Sequence, residues 1–143
     1  MRKTATVIGL LAAAAAFTWA NAATVSYKAN LASNAEVPPV QSPGKGSAQV
    51  NVDTATKQAT YRVEFTGLTG PAAAAHIHCG AAPGANAGVA VPLGAANPAS
   101  PITGSAALTD AQLADLQAGK CYVNVHTAAN KGGEIRGQVM KGM

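Results

Sequence analysis

The segment GSAQVNVDTATKQATYRVEFTGL, residues 46–68, decides the fold because its pattern predicts a β-hairpin. Apolar residues mark one face of each arm: Ala48, Val50 and Val52 in the first, and Ala59, Tyr61, Val63 and Phe65 in the second. Side chains alternate between the two faces of a strand, so this spacing gives each arm one face suited to a core. The DTATK segment between the arms supplies turn residues. We therefore expect an antiparallel pair that is buried on one side.

Three other segments alternate in the same way and predict further strands: ATVSYKANL at 23–31, CYVNVHT at 121–127 and GGEIRGQVM at 132–140. The segments 34–46 and 79–100 are rich in Gly and Pro and predict loops, the second with a short strand at GVAVPL. Short alternating strands separated by such turns favour a β-sandwich or a barrel.

One short crossover helix is predicted near 109–118. Thr109 and Gln112 have the spacing of a capping box, and Leu113 and Leu116 give a short apolar stripe. Gly119 follows where a helix usually ends in a left-handed residue.

The first 22 residues predict a secretory signal peptide. A basic start is followed by an Ala- and Leu-rich apolar run and then by ANA at residues 20–22, the small-residue pattern of a cleavage site. The mature protein is expected to be a single domain, residues 23–143, that is periplasmic or secreted. An uncleaved anchor is the alternative, although the apolar run is short for a bilayer span, and no later segment suits one.

Charge and composition exclude several classes of function. Loss of Arg2 and Lys3 with the leader lowers the formal net charge from +4 to +2, and few aromatic residues remain, so a nucleic-acid partner is not expected. No serine elbow, paired carboxylates or phosphate-binding glycine loop is present, which makes hydrolase and nucleotide-binding functions weak hypotheses.

All the histidines and cysteines lie in two short segments, AHIHCG at 75–80 and CYVNVHT at 121–127. By strand alternation, both cysteines share the core face with apolar neighbours. In a secreted chain this favours a Cys79–Cys121 disulfide, with thiolate ligation of a soft ion such as Cu(I) as the alternative.

The three histidines fall on the opposite face of both segments and predict a metal site. Two imidazoles spaced i, i+2 on one strand, His76 and His78, can converge on one ion, and His126 on a neighbouring strand can complete a three-nitrogen set. Imidazole suits Zn, Cu, Fe and Ni, and affinity should fall as the pH drops through the imidazole pKa of about 6.5. The alternative is that this H-x-H pair lies on an exposed strand by chance. Alternation also places Tyr122, Asn124, Glu134 and Arg136 on the histidine side, which makes them candidates to support the ion or to guide an anion to it. The alternative for Arg136 is a surface contact with Glu134 or with a backbone carbonyl.

Two long segments resemble the CHRD domain, a family named from chordin and found in secreted bacterial proteins. They run from GLTG at residue 67 to VAVPL, and from LTDAQ at residue 108 through YVNVHT and GGEIRG to residue 139. The resemblance covers roughly residues 24–140. It implies an extracellular or periplasmic domain more than a particular activity.

The order of features is also similar, more distantly, to copper/zinc superoxide dismutase. That resemblance implies a Greek-key β-sandwich or flattened barrel, with His76, His78 and His126 as copper ligands and Arg136 as the anion guide. The chain has no histidine left for the bridging or zinc-binding positions, so a zinc site of the dismutase type is not expected. Copper would then need a fourth donor, from water, Glu134 or another residue.

Three functions follow as hypotheses. The first is a copper-binding protein for sequestration, delivery or tolerance, whose partners are the metal ion and a copper-delivery or extracellular protein. The second is a copper-dependent, dismutase-like redox enzyme in which Arg136 steers the anion. The third is a metal-free extracellular interaction or structural module.

Overall fold

The computed structural model describes residues 23–142, so the proposed signal peptide at 1–22 lies outside the described residues. The described part contains nine strands, a 3-10 turn and one α-helix. The elements are β1 Thr24–Ala32, the turn Ser33–Ala35, β2 Lys45–Asp53, β3 Gln58–Thr66, β4 Ala72–Cys79, β5 Val89–Pro92, β6 Ile102–Ala107, α1 Asp110–Gln117, β7 Cys121–Thr127, β8 Ile135–Gln138 and β9 Met140–Lys141. No helix among residues 23–142 is long and apolar enough to cross a membrane.

The strands form one antiparallel sheet that nearly closes into a barrel. Its order is β5-β4-β7-β8-β1-β2-β3-β6, and β9 pairs with β1. Strands that are distant in sequence are neighbours in the sheet, since β3 pairs with β6 and β4 pairs with β7, as in Greek-key connections. This arrangement confirms the predicted all-β sandwich or flattened barrel.

The predicted hairpin is confirmed as β2 and β3, which pair from Lys45↔Thr66 to Asp53↔Gln58 without a break in register. Its turn is fixed by Asp53, whose carboxylate accepts hydrogen bonds from the backbone N–H groups of Ala55 and Thr56. The predicted core face is buried, except that Phe65 near the end of β3 is only half-buried. The hairpin therefore supplies one wall of the apolar core.

The predicted helix is also confirmed, and it connects β6 to β7. The Thr109 side chain accepts from the Gln112 N–H while the Gln112 side chain accepts from the Thr109 N–H, which is the capping box. Gly119 has a φ of +70°, the left-handed conformation expected after the last turn. These local signals fix both ends of the helix, and β7 begins two residues later at Cys121.

Candidate metal site and its polar surroundings

The two cysteines form a disulfide that joins the end of β4 to the start of β7. Cys79 and Cys121 are opposite each other in the antiparallel register, and their Cα atoms are 4.1 Å apart. The predicted disulfide is therefore present. Because each sulfur is bonded to the other, neither is available as a thiolate ligand, and the alternative of a cysteine-ligated ion is wrong for this state of the protein.

Strand pairing brings the three histidines to one face. Ala74 is opposite His126, and His76 is opposite Asn124, so His76 and His126 are diagonal neighbours on adjacent strands. The apolar residues between the histidines, such as Ile77, face the core and are buried. The three imidazoles can each offer one nitrogen such that these nitrogens lie within 4.8 Å of one another.

His76 and His126 form the tightest pair in this cluster. His76 Nδ1 is 2.9 Å from His126 Nε2. His126 Nδ1 is 2.9 Å from the Lys131 carbonyl oxygen, an acceptor, so Nδ1 carries the proton and Nε2 presents its lone pair. Two nitrogens bonded to one ion at 2.0–2.1 Å and about 90° apart have a separation close to this one. The pair therefore has the spacing of two adjacent metal ligands. Without an ion, the Nδ1–H of His76 donates a hydrogen bond to Nε2 of His126.

The surroundings keep both of these imidazoles neutral at pH 7. Burial lowers the pKa of His76, and the nearby charges of His126 and His78 in their protonated forms lower it further. Burial likewise lowers the pKa of His126, and its hydrogen bond to the Lys131 carbonyl opposes this only in part. A neutral imidazole is the form that binds a metal, so protons compete weakly for this pair.

His78 is placed differently from the other two histidines. Its Nδ1 is 2.9 Å from the Ala87 carbonyl oxygen, and its Nε2 is 3.0 Å from Asn124 Oδ1. Its ring is stacked on Tyr122, with ring centroids 4.7 Å apart and planes 5° from parallel. Tyr122 and Asn124 therefore lie beside the cluster, as predicted from alternation, and both contact it through His78.

Arg136 lies on β8, which is the neighbour of β7 on the side away from β4, and it packs against Tyr122 from that side. Its guanidinium is 3.4 Å from the centre of the Tyr122 ring, and it donates to Asn86 Oδ1 at 2.8 Å and to the Ala85 carbonyl at 2.6 Å. Only 2% of Arg136 is exposed, because residues 80–88, the β4–β5 loop, cover this face of the sheet. The guanidinium points away from the core as predicted. It is nevertheless part of a buried polar layer, made of Tyr122, Asn124 and Arg136 beneath the β4–β5 loop, and this burial does not favour the role of an anion guide.

Glu134 is not on the histidine side, and the prediction that placed it there is wrong. Its carboxylate accepts hydrogen bonds from the side chains of Ser42, Thr69, Thr127 and Asn130, and from the Thr69 backbone N–H. Strand β8 begins only at Ile135, after a turn in which Gly133 has a φ of +129°, so strand alternation does not extend back to Glu134. These five contacts fill the carboxylate's acceptor sites and leave it unsuited to be the fourth ligand.

Sequence reasoning missed Glu36, which completes the polar layer. This residue follows the 3-10 turn, is 5% exposed, and has a buried Oε1 atom without a hydrogen-bond partner among the described residues. Burial raises its pKa to about 7, although the charge of Arg136 and the amide of Asn124 act to lower it. A Cβ at Gly133 would collide with the Glu36 carboxyl group, so only glycine fits there. The loop sequence NAEVPP gives no periodic signal that would have predicted this burial.

Replacing Glu36 with Gln is expected to stabilise the protein at pH 8 and to change little at pH 4.5. The unfolded state ionises near the ordinary Glu pKa of 4.5 and the folded state only near 7, so the folded wild type loses stability as the pH rises through this window. After allowance for screening by nearby water, we expect a gain of about 2 kcal/mol at pH 8.

Urea unfolding of both proteins at several pH values measures this difference. Glu64→Gln on the exposed side of β3 is the control, because that side chain is half-exposed in a surface ion pair. A Glu36→Gln variant less stable than the wild type at pH 8 would contradict the prediction.

Comparison with known proteins gives one match. The model of the CHRD domain family matches residues 27–139, which is most of the described chain. No curated protein and no solved structure matches, so the more distant likeness to copper/zinc superoxide dismutase receives no support from these comparisons. The motifs around the histidines, the disulfide and the buried Arg136 all lie within the matched range. This chain belongs to the CHRD domain family.

Proposed function

We propose that this protein is a periplasmic or secreted module that binds copper at the cluster of His76, His78 and His126. The observation that carries the proposal is the His76–His126 pair, in which two neutral imidazole nitrogens lie 2.9 Å apart with the lone pair of His126 fixed in place. A third imidazole is close by. Membership of a family whose domains are typically extracellular, together with the disulfide, supports the compartment.

The chemistry of the donors supports copper over other cations. The cluster contains imidazole nitrogens and no carboxylate, so it does not suit Ca²⁺ or Mg²⁺, which prefer oxygen ligands. Among divalent ions that imidazole binds, affinity rises to a maximum at Cu²⁺. The proposed role is sequestration, delivery or tolerance of copper. Residues 1–22, read as a signal peptide, and the single mature domain 23–143 belong to the same proposal.

A metal-free interaction module is the second candidate. It is favoured by the packing of His78, whose two ring nitrogens lie 2.9 and 3.0 Å from the Ala87 carbonyl oxygen and Asn124 Oδ1 and whose ring is stacked on Tyr122. In that case the histidines are part of the packed polar layer, and a protein partner contacts another surface.

Titration of the mature protein with Cu(I), Cu(II) and Zn(II) separates these candidates. We expect one tightly bound copper per chain, and a loss of affinity of at least roughly 100-fold in His76→Ala and in His126→Ala, since losing even a supporting contact typically costs 10–100-fold. Gln49→Ala, on the exposed side of β2, is the control and should bind as the wild type does.

Equal copper affinity in the wild type and in both histidine variants would refute the metal site and leave the interaction module as the better hypothesis. If copper does bind at the cluster, a superoxide assay then tests the dismutase-like alternative.

A further inference from the structure

The sheet has an open edge at β6. This strand is the last in the sheet order and, among residues 23–142, it pairs with β3 alone. Its residues from Thr103 to Ala107 are exposed or half-buried, and the segment 102–107 contains no charged residue and no proline. Natural proteins usually protect an edge strand with charges, proline or a covering element, because its unpaired backbone groups are a template for another strand.

The opposite edge of the sheet, at β5, is protected in two of these ways. The Ala90 carbonyl accepts a hydrogen bond from the Gln112 side chain of α1 at 3.1 Å. Pro92 at the end of the strand has no N–H to donate to an incoming chain. The protection of one edge but not the other singles out β6 as the side on which the sheet is built to be extended.

The register of β6 shows which of its backbone groups are free. The Leu108 N–H donates to the Lys57 carbonyl at 2.9 Å, and the bonds of an antiparallel pair fall on every second residue. The even-numbered residues of β6 therefore direct their backbone groups to β3. The backbone N–H and C=O groups of Thr103, Ser105 and Ala107 point away from the sheet.

We propose that a second copy of this chain pairs with the free edge, β6 against β6 in antiparallel orientation, about a twofold axis at Ser105. Ser105 then lies opposite Ser105 of the second copy, and Thr103 lies opposite its Ala107. All three free residues of each copy are paired in this register, which adds about six backbone hydrogen bonds. The result is a symmetric dimer with one continuous sheet, and it does not depend on the proposed metal binding.

The charges around β6 favour a second copy over an acidic or a basic partner. Two surface ion pairs flank the strand, Arg62–Glu64 on β3 near its start and Lys57–Asp110 beyond its end. Antiparallel pairing brings the first ion pair of one copy beside the second ion pair of the other. Each end of the new ladder then holds both signs of charge. The edge has no net charge that would select a charged partner, but it is complementary to itself.

Sedimentation of the mature protein, residues 23–143, from about 10 μM to 1 mM tests the association, with a chelator present so that no metal joins two chains. We expect a monomer–dimer equilibrium. Ser105→Lys places like charges opposite each other on the axis and should weaken the dimer at least roughly tenfold. Ser47→Lys is the matched control, because Ser47 is exposed on β2, two strands from the edge, and it should leave the dimer unchanged.

Cysteine cross-linking tests the register, and it also reads the proposal if a charged variant fails to fold. Residues directly opposite in a bonded antiparallel pair have Cα atoms about 5.5 Å apart, which suits a disulfide. Ser105→Cys should therefore form a disulfide-linked dimer under mild oxidation. Thr103→Cys lies about 13 Å from its own copy in this register and should form roughly tenfold less. Ser47→Cys is the second control.

A protein that stays monomeric up to 1 mM would overturn the proposal and leave the edge to a strand from a different protein. A dimer that Ser105→Lys and Ser47→Lys affect equally would place the contact on another surface, which also overturns it. Equal cross-linking of Thr103→Cys and Ser105→Cys would contradict the twofold axis at Ser105. None of these outcomes bears on copper binding, which the histidine variants test separately.

Discussion

Replacing Glu134 with Ala is expected to lower the free energy of unfolding by about 4 kcal/mol. The carboxylate is fully buried and accepts five hydrogen bonds, from Ser42, Thr69, Thr127 and Asn130. Truncation leaves these donors without a partner inside the protein, and each buried donor left unpaired costs about 1–3 kcal/mol unless water reaches it. These donors come from three separate loops and from the end of β7, so the residue joins parts of the chain that lie far apart in sequence.

Urea unfolding at pH 7 measures this loss, with Glu64→Ala as the matched control. Glu64 has the same side chain, but it lies half-exposed in a surface pair with Arg62, and its truncation should cost less than about 1 kcal/mol. If the two variants are equally stable, the buried carboxylate does not have the structural role assigned to it.

The free energy of unfolding at acidic pH should also reflect the hydrogen bonds of Glu134. Burial acts to raise the pKa of Glu134, but hydrogen bonds from Ser42, Thr127 and Thr69 prevail and lower it to about 2. The folded state therefore releases this proton more readily than the unfolded state, whose Glu pKa is near 4.5. The stabilising contribution is complete above pH 4.5 and is lost as the pH falls towards 2. Stability of Glu134→Gln should depend less steeply on pH in this window.

Removing the disulfide is expected to cost roughly 4 kcal/mol, from the chain entropy of a loop closed between residues 42 positions apart. The Cys79→Ala, Cys121→Ala double variant lets the unfolded chain expand and also frees the ends of β4 and β7. Because the β4–β5 loop starts directly after Cys79, we expect this loop to be the region whose amide exchange increases most.

Reduced wild-type protein is the control for this variant, since it keeps both sulfurs in the core and loses only the covalent link. Guanidinium unfolding of the oxidised, reduced and double-variant proteins gives the comparison. Reduced and oxidised protein with the same midpoint would contradict the expected loss.

Local patterns predicted those parts of the fold that neighbouring residues control. The hairpin of β2 and β3, the capped helix and the faces of β4 and β7 all follow from alternation or capping within a few residues, because such signals need no distant contact. The disulfide followed in the same way, since alternation placed both cysteines on the core face.

The surroundings of the sheet face that carries the histidines could not be predicted from local patterns. Alternation gives the direction of a side chain relative to the sheet, but not what lies above it. The β4–β5 loop and the segment that contains Glu36 cover Tyr122, Asn124 and Arg136, and so turn an expected exposed face into a buried polar layer. Glu134 was misplaced because a turn with a left-handed glycine interrupts the alternation just before β8.

The sequence by itself determined the all-β architecture, the pair of histidines on one strand, the third histidine on the same face, and the bond between the cysteines. Only the tertiary structure decided how close these histidines lie to one another and what surrounds each of them. His76 and His126 are a close pair because β4 and β7 are adjacent in the sheet, although 41 residues of chain lie between these two strands. His78 acquired its two oxygen partners from Asn124 and from the folded-back loop. Such contacts depend on the path of the chain between strands, and no periodicity in the sequence encodes that path.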